Sequence, residues 1–271
     1  MKKILKKFTT FALAAAMLTA CFGLAACEDL QTLEVKVSAN GTEYTMTVDL
    51  YRHLAPETCK IIEKYVEEGY YDGTLIYEND SYTKQLMFGD IKLDGENVVL
   101  SAVKPEIYGE FDKNGTTGSN LVSEKGSIGL WRSWTASDAD GNKYKASNGM
   151  NSGRAVWYMP TEAVSDYNGY FCVFARYDAE DTANSETVDA LTKVFDSSDN
   201  YTEYVIYYTG EYDAAKKDDN YGLVFHCVEK DVFDDVDEDT VFTAENDQLV
   251  CYNKQTVKIS ATTKIVSVKI I

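Results

Sequence analysis

The stretch from Leu50 to Asp90 restricts the fold of this 271-residue chain more than any other part of the sequence. Pro56 suits the first turn of a helix, because the backbone N–H that proline lacks has no helical partner there. An apolar stripe at helical spacing follows, made of Cys59, Ile62 and Val66. Gly69 predicts the end of the helix, and Asp72–Gly73 predicts a turn before an apolar strand at Leu75–Tyr77. We therefore expect a helix that packs on a sheet.

Alternating apolar residues predict further strands on both sides of this stretch. The first two form a hairpin, in which Asn40–Gly41 separates strands at Leu33–Val37 and Tyr44–Leu50. A second helix is predicted to begin with a cap at Ser185 and to bury one face, made of Val188, Leu191 and Val194 or Phe195. Further strands are expected at 98–100, 201–208, 223–228 and 264–270. This order of elements indicates a mainly β domain.

Three short motifs in the first stretch are more specific than the periodicity. They read Leu54-Ala55-Pro56-Glu57-Thr58, Gly69-Tyr70-Tyr71-Asp72-Gly73-Thr74 and Phe88-Gly89-Asp90. They resemble the cyclophilin family of peptidyl-prolyl cis-trans isomerases, and similar words follow in order at 107–115, 125–132, 151–159 and 167–176. The resemblance covers about residues 33–196 and 262–271. It implies a closed antiparallel barrel of eight strands capped by two helices, formed by residues 28–271 with insertions near 133–150 and 199–250.

The resemblance also places an active site on this chain, and most of its positions hold different residues. The catalytic Arg position falls on Glu78, the two Gln positions on Met87 and Val156, and the rim His on Phe171. Because a carboxylate only accepts hydrogen bonds at neutral pH, Glu78 cannot act as the donor that the family uses. No confident catalytic residue therefore remains. Substrate-binding positions that keep aromatic or apolar character are Tyr77, Met87, Trp131, Tyr158, Tyr167 and Phe171.

Two functions follow from this mixture. The first is an exported isomerase with weak activity, acting on a proline-containing peptide or on unfolded exported proteins. The second is a catalytically inactive module of the same fold that binds peptides or extracellular proteins. An alternative for the aromatic residues is that Trp157, Tyr158, Phe171 and Phe174 belong to the barrel core and contact no ligand. Arg132 or Arg154 could reach the site from neighbouring loops, but both are expected to be surface residues.

Residues 1–27 predict an export signal. Four lysines precede an apolar, alanine-rich run, and Leu24-Ala25-Ala26 stands directly before Cys27. Small residues before a cysteine resemble the bacterial lipoprotein signal, in which the cysteine is lipidated and becomes the mature N-terminus. Cys27 is the favoured site, and Cys21 is the alternative. The expected location is the outer face of the bacterial cell membrane, with the lipid as the only membrane contact.

The charge of the chain excludes some partners. The net charge is −18, and removal of the four lysines before Cys27 makes it −22. Such a surface repels nucleic acid and anionic lipid headgroups. We expect a monomer without a cofactor.

The remaining cysteines leave two alternatives open. Cys172–Cys227 or Cys227–Cys251 could form a disulfide after export, or these residues and Cys59 could be buried free thiols. The cysteines lack metal-ligand spacing. The acidic sequence at 138–142 is interpreted as a turn, because the twelfth position of a calcium loop would be Ser147, so no metal is expected.

Overall fold

The computed structural model describes residues 30–79, 84–102, 104–116, 121–132, 150–210, 224–234 and 250–271. The expected lipidation sites at Cys21 and Cys27 and the turn at 138–142 lie outside these residues. Residues 31–271 form one compact unit. In the described part of the chain, no helix has the length and apolar character needed to cross a membrane.

Eight antiparallel strands close into a barrel. Their order around the barrel is β1, β2, β8, β6, β7, β4, β3 and β11, and β11 pairs with β1 to complete the circle. Their bounds are β1 Gln31–Ala39, β2 Thr42–Leu50, β3 Thr74–Asn79, β4 Gln85–Asp94, β6 Ser127–Leu130, β7 Trp157–Pro160, β8 Cys172–Arg176 and β11 Val250–Ile270. The short strand β5, Asn97–Leu100, pairs with β4 outside this path. The predicted fold class, a closed eight-stranded antiparallel barrel with helices, is confirmed.

Local sequence accounts for the first half of the barrel. Asn40 and Gly41 have positive φ angles of 48° and 85°, as the tight turn between β1 and β2 requires. Helix α1, Pro56–Glu67, begins at the proline as predicted. Its buried face includes Cys59, Ile62 and Val66. The carboxylate of Glu110 accepts hydrogen bonds from the backbone N–H groups of Glu57 and Thr58, which satisfies donors that the helix itself leaves free.

The second helix starts earlier than predicted. Helix α2 spans Thr182–Val194, and its cap is Asp181, whose carboxylate accepts a hydrogen bond from the backbone N–H of Asn184 at 3.0 Å. Ser185 therefore lies inside the helix, because Asp181 occupies the capping position one turn before it. The expected apolar face is present, since Val188, Leu191, Val194 and Phe195 are all buried.

The segment around 199–250 adds structure beside the barrel. Strands β9, Thr202–Gly210, and β10, Val224–Glu229, form an antiparallel pair, and helix α3, Lys230–Asp234, follows β10. Strand β11 has 21 residues and three partners: β9 along 250–259, β3 around 257–264 and β1 along 264–270. The predicted return of 264–270 beside the N-terminal hairpin is confirmed.

Two apolar cores share the wall of the barrel. The interior core lies under α1 and α2 and includes Trp157, Phe174, Leu33 and Ile76. The outer core lies on the opposite face of β3, β4 and β7 and includes Leu75, Met87 and Tyr158. Because successive side chains of a strand point to opposite faces, each of these strands contributes to both cores.

Candidate functional site

The strand pairing brings the expected substrate-binding residues onto one face. Tyr77 of β3 is paired with Met87 of β4, and Met87 is paired with Tyr158 of β7. Paired residues on neighbouring strands share a face of the sheet, so these three side chains lie in one row on the outside of the barrel. The row belongs to the outer core. We call this row, together with Tyr167 and Phe171 of the same core, the aromatic face.

Four rings form the centre of the aromatic face. Tyr167 and Phe171 are stacked with centroids 4.3 Å apart, and Tyr158 meets Phe171 edge-on at 5.6 Å. Trp131 packs against Phe171 at 5.5 Å. The hydroxyl of Tyr158 shares a hydrogen bond of 2.8 Å with Ser123 Oγ. These are ordinary aromatic packing distances, so the rings stabilise one another.

The aromatic face is not open to solvent. Tyr158 is 0% exposed, and Tyr167 and Phe171 are each 2% exposed. Residues of β9 and β10 cover it: Ile206 is a buried member of the core, and the partly buried Tyr204, Phe225 and Cys227 pack against it. Trp131 and Val156 are partly buried at its margin. Tyr158, which was expected to bind substrate, is thus fully packed and has no surface open to a ligand in this conformation.

Glu78 lies on the other side of β3. Its partners in register are Leu86 and Lys258, and Leu86 belongs to the interior core. The carboxylate is 0% exposed and forms ion pairs with Lys258 Nζ at 2.6 Å and with Lys84 Nζ at 3.4 Å. Glu78 therefore neutralises two lysines at the end of the barrel and does not point toward Tyr77, Met87 and Tyr158.

Arg132 is buried, which corrects the expectation of a surface residue. Only 2% of it is exposed, and Nε donates a hydrogen bond to the carbonyl oxygen of Tyr170 at 2.9 Å. The guanidinium carbon lies 5.0 Å from the ring centroid of Phe171 and 5.5 Å from that of Phe111. Burial lowers the pKa of Arg132 to about 10, and at neutral pH the group stays a cation. The faces of these two aromatic rings attract the cation.

Arg154 is partly exposed and lies 3.7 Å from Glu106. It thus forms an ion pair near the surface, as a solvent-facing arginine would.

Sequence reasoning missed Asp90, which lies at the edge of the aromatic face. Tyr77 donates a hydrogen bond to Asp90 Oδ2 at 3.0 Å, whereas Asp90 Oδ1 is buried without a hydrogen-bond partner. Burial raises the pKa of Asp90 to about 6, against the opposing effect of the Tyr77 hydrogen bond. The charge of Asp90 also acts on Cys227 of β10, whose thiol pKa is raised to about 12, mainly by burial. The motif Phe88-Gly89-Asp90 was the signal for this residue, but it does not reveal the contact with β10.

Three amide side chains border the aromatic face: Asn79, Gln85 and Gln255. Asn79 donates hydrogen bonds to Gln255 Oε1 at 2.7 Å and to Met87 Sδ at 3.5 Å. Gln85, in register with Asn79, is buried, and its Oε1 atom has no hydrogen-bond partner. No signal in the sequence singled out these amides, because their proximity depends on the pairing of β3, β4 and β11.

The cysteines and potential metal ligands show no second site among the described residues. Cys59, Cys172 and Cys227 are free thiols, so the alternative of a Cys172–Cys227 disulfide is not realised. The side chain of Cys251 lies outside the description. In the described ranges, no group of three or more His, Cys, Asp or Glu residues could hold a metal ion. His226 lies on β10 and stacks on Tyr207 at 4.7 Å, as a strand residue.

Comparisons with known proteins add structural likenesses alone. No protein-family model matches the chain, and no curated protein matches it. Two solved structures of a cyclophilin-type peptidyl-prolyl cis-trans isomerase from Cryptosporidium parvum resemble it at 14% sequence identity. The one solved with the dipeptide Ala-Pro has a TM-score of 0.37 and matches 59% of this chain and 85% of its own. The other has a TM-score of 0.40, with 73% and 98% matched. The chemistry of the site has to be read from the residues of this chain.

Proposed function

We propose that this protein is an exported, lipid-anchored barrel that binds proline-containing or apolar peptide segments on its aromatic face, with little or no isomerase activity. The motifs at 54–58, 69–74 and 88–90 support the class of ligand, and Cys27 supports the anchor. The observation that carries the proposal is the composition of the face: the row Tyr77, Met87 and Tyr158 presents rings and a thioether, with no charged donor in the row.

A donor at the prolyl amide is what an isomerase of this kind requires. The barrier to rotation is roughly 18–20 kcal/mol, and a positioned hydrogen-bond donor stabilises the twisted amide. Loss of one such donor costs about 2.7–4 kcal/mol, or about 10²–10³ in kcat. Glu78 cannot supply this donor, because its carboxylate lies on the interior side of β3 and forms ion pairs with Lys258 and Lys84.

A second candidate function is weak isomerisation with Arg132 as the donor. The guanidinium lies 5.0 Å from Phe171, so a cation is present at one margin of the aromatic face. Reaching a bound peptide would require Arg132 to leave its hydrogen bond with the Tyr170 carbonyl oxygen. Because this hydrogen bond is buried, it is stronger than it would be in water, and its loss opposes the movement of Arg132 toward a peptide.

The deciding experiment is a protease-coupled isomerisation assay on residues 28–271, run beside calorimetric titration with the tetrapeptide Ala-Ala-Pro-Phe. We expect binding without acceleration of isomerisation. Arg132→Lys keeps the charge, and it should leave the background rate unchanged if catalysis is absent. A clear isomerase rate that falls in Arg132→Lys would favour the second candidate. Absence of peptide binding at millimolar concentration would contradict the first.

The anchor has its own test. Mass spectrometry of the mature protein from a bacterial host should show a lipidated Cys27, and Cys27→Ser should release the protein from the membrane fraction. Cys21→Ser is the matched control and should change neither result. A mature N-terminus at any residue other than Cys21 or Cys27, without a lipid, would contradict the anchor.

A further inference from the structure

The pair β9–β10 is joined to the barrel along only one of its long sides. Strand β9 is paired with β11 from Thr202 to Gly210, so a backbone ladder holds that side. Strand β10 pairs only with β9 among the described strands, and β5 pairs only with β4. Strands β10 and β5 nevertheless lie in contact. Side-chain packing without a described backbone ladder therefore closes this boundary, which we call the β5–β10 seam.

One face of the β9–β10 pair fills the aromatic face of the barrel. Tyr204 and Ile206 alternate along β9, and Phe225 and Cys227 alternate along β10. Ile206 is buried in the outer core, and the other three are partly buried and pack against it. On the barrel side of the seam, Val98 and Leu100 of β5 pack against the same core. A ligand could reach Tyr158 only after these contacts part.

The opposite face of the pair has a small core of its own. Val205 and Tyr207 of β9 pack with Phe233 of α3, and Tyr207 meets Phe233 at 5.4 Å. Among the residues that the structure describes, this core contains none from the barrel strands. The pair and α3 can therefore keep their internal packing when the contact with the barrel is lost, which is what a unit that moves as one body requires.

We propose that β9, β10 and α3 form a hinged cover that opens along the β5–β10 seam, turns on the β9–β11 ladder, and exposes the aromatic face without unfolding the barrel. That the exposed face then receives a peptide rests on the function proposed above. In the closed state, residues of β9 and β10 occupy the aromatic face, so the cover competes with any ligand for the same rings.

Cys227 is a natural reporter of this motion. It is half-buried on the covered side of β10, where partial burial and the charge of Asp90 keep its pKa high and its thiolate scarce. Cys59 and Cys172 lie in the interior core of the same molecule and report unfolding of the barrel. In Cys251→Ser, residues 28–271, labelling with N-ethylmaleimide under native conditions should modify Cys227 at least ~100-fold faster than Cys59 and Cys172.

Variants of the cover test whether opening limits the labelling. Phe225→Ala removes an inner-face ring and should speed Cys227 labelling about ten-fold or more, with Cys59 unchanged. Phe225→Leu is a milder second variant with a smaller increase. Val232→Ala, at an exposed position of α3, is the matched control and should change nothing.

Each outcome decides the proposal. Labelling of Cys227 in parallel with Cys59 would overturn the cover, because only global unfolding would then expose it. Fast labelling that is equal in all variants would also overturn it, because the thiol would be reached in the closed state. Ala-Ala-Pro-Phe should increase Cys227 labelling by binding the open form. If the variants behave as expected and the peptide has no effect, the cover stands and the peptide-binding function fails.

Discussion

Trp157 and Tyr158 are neighbours on β7, both are 0% exposed, and they belong to different cores. Trp157 faces the interior, which the barrel strands and the two long helices enclose. Tyr158 faces outward and is buried with the help of β9 and β10, which lie in a segment that the sequence resemblance does not cover. The interior core is thus built by the barrel, whereas the outer core requires an addition to it.

The difference bears on the positions where the resemblance predicts a catalytic site. The resemblance places Gln at Met87 and Val156 and His at Phe171, and all three positions here are apolar. Polar side chains suit a face that is open to water, but they lose hydrogen bonds when a sheet covers it. Burial under β9 and β10 favours apolar side chains at these positions. The apolar residues at these positions and the strands packed over them are therefore consistent with each other.

The largest expected effect separates the two cores directly. Trp157→Ala should lower the free energy of unfolding by about 3–5 kcal/mol, because it leaves a cavity and removes the hydrogen bond from Nε1 to the Tyr71 hydroxyl. Trp131→Ala, at the half-buried margin of the outer core, should cost clearly less. Urea unfolding of both variants is the measurement. Equal losses would mean that the two cores are energetically one.

The next effect concerns the buried carboxylate of Glu78 on the interior side of β3. Glu78→Gln should cost about 2–4 kcal/mol, since it leaves Lys258 and Lys84 without their carboxylate. Glu78→Leu combined with Lys258→Met should cost less than Glu78→Gln alone. Glu78→Arg should lower the thermal midpoint and add no isomerase activity, because three cations would then meet away from the aromatic face. A gain in kcat/KM for Glu78→Arg would show that this residue does face the ligand.

A smaller effect tests how tightly the outer core is packed. Gly129 lies opposite Tyr158, and a Cβ atom there would collide with the Tyr158 ring. Gly129→Ala should cost about 1–3 kcal/mol, because the ring has no free space to enter. Gly153→Ala, where the added atom meets the movable end of the Leu130 side chain, is the control with a lower cost. Similar midpoints in thermal unfolding would indicate a loosely packed aromatic face.

The smallest effect is a pH dependence at the edge of the outer core. The pKa of Asp90 is raised from 3.8 to about 6 by burial, so the folded state favours the protonated carboxyl. Stability from this group is full below about pH 4 and is lost as the pH rises through about 6. Asp90→Asn should remove that loss, worth ~1–2 kcal/mol after allowance for partial exposure. The difference between variant and parent should grow from pH 4 to pH 6 and then stay constant. A constant difference at all pH values would exclude titration of Asp90.

Periodicity and motifs predicted the hairpin, α1, the closing strand and the class of barrel, because these depend on local pattern. The resemblance placed Tyr77 and Glu78 at one site. Successive side chains of a strand point to opposite faces, so Glu78 faces inward where Tyr77 faces outward. The packing of β9 and β10 on the barrel was not predictable from local pattern, since it joins residues far apart in sequence. Whether the aromatic residues bind a ligand remains a prediction.

The 21 residues of β11 have a consequence for the speed of folding. The barrel closes when this strand pairs with β1, for example Leu33 with Ile270, and it follows every other strand in the sequence. Such distant pairings lose much chain entropy before any contact compensates, so they form slowly. Until β11 arrives, β1 and β3 both present unpaired edges, which are the usual starting points of aggregation. Strand β11, which pairs with β9, thus also covers the edges of β1 and β3 and ends the stage of folding that is most prone to aggregation.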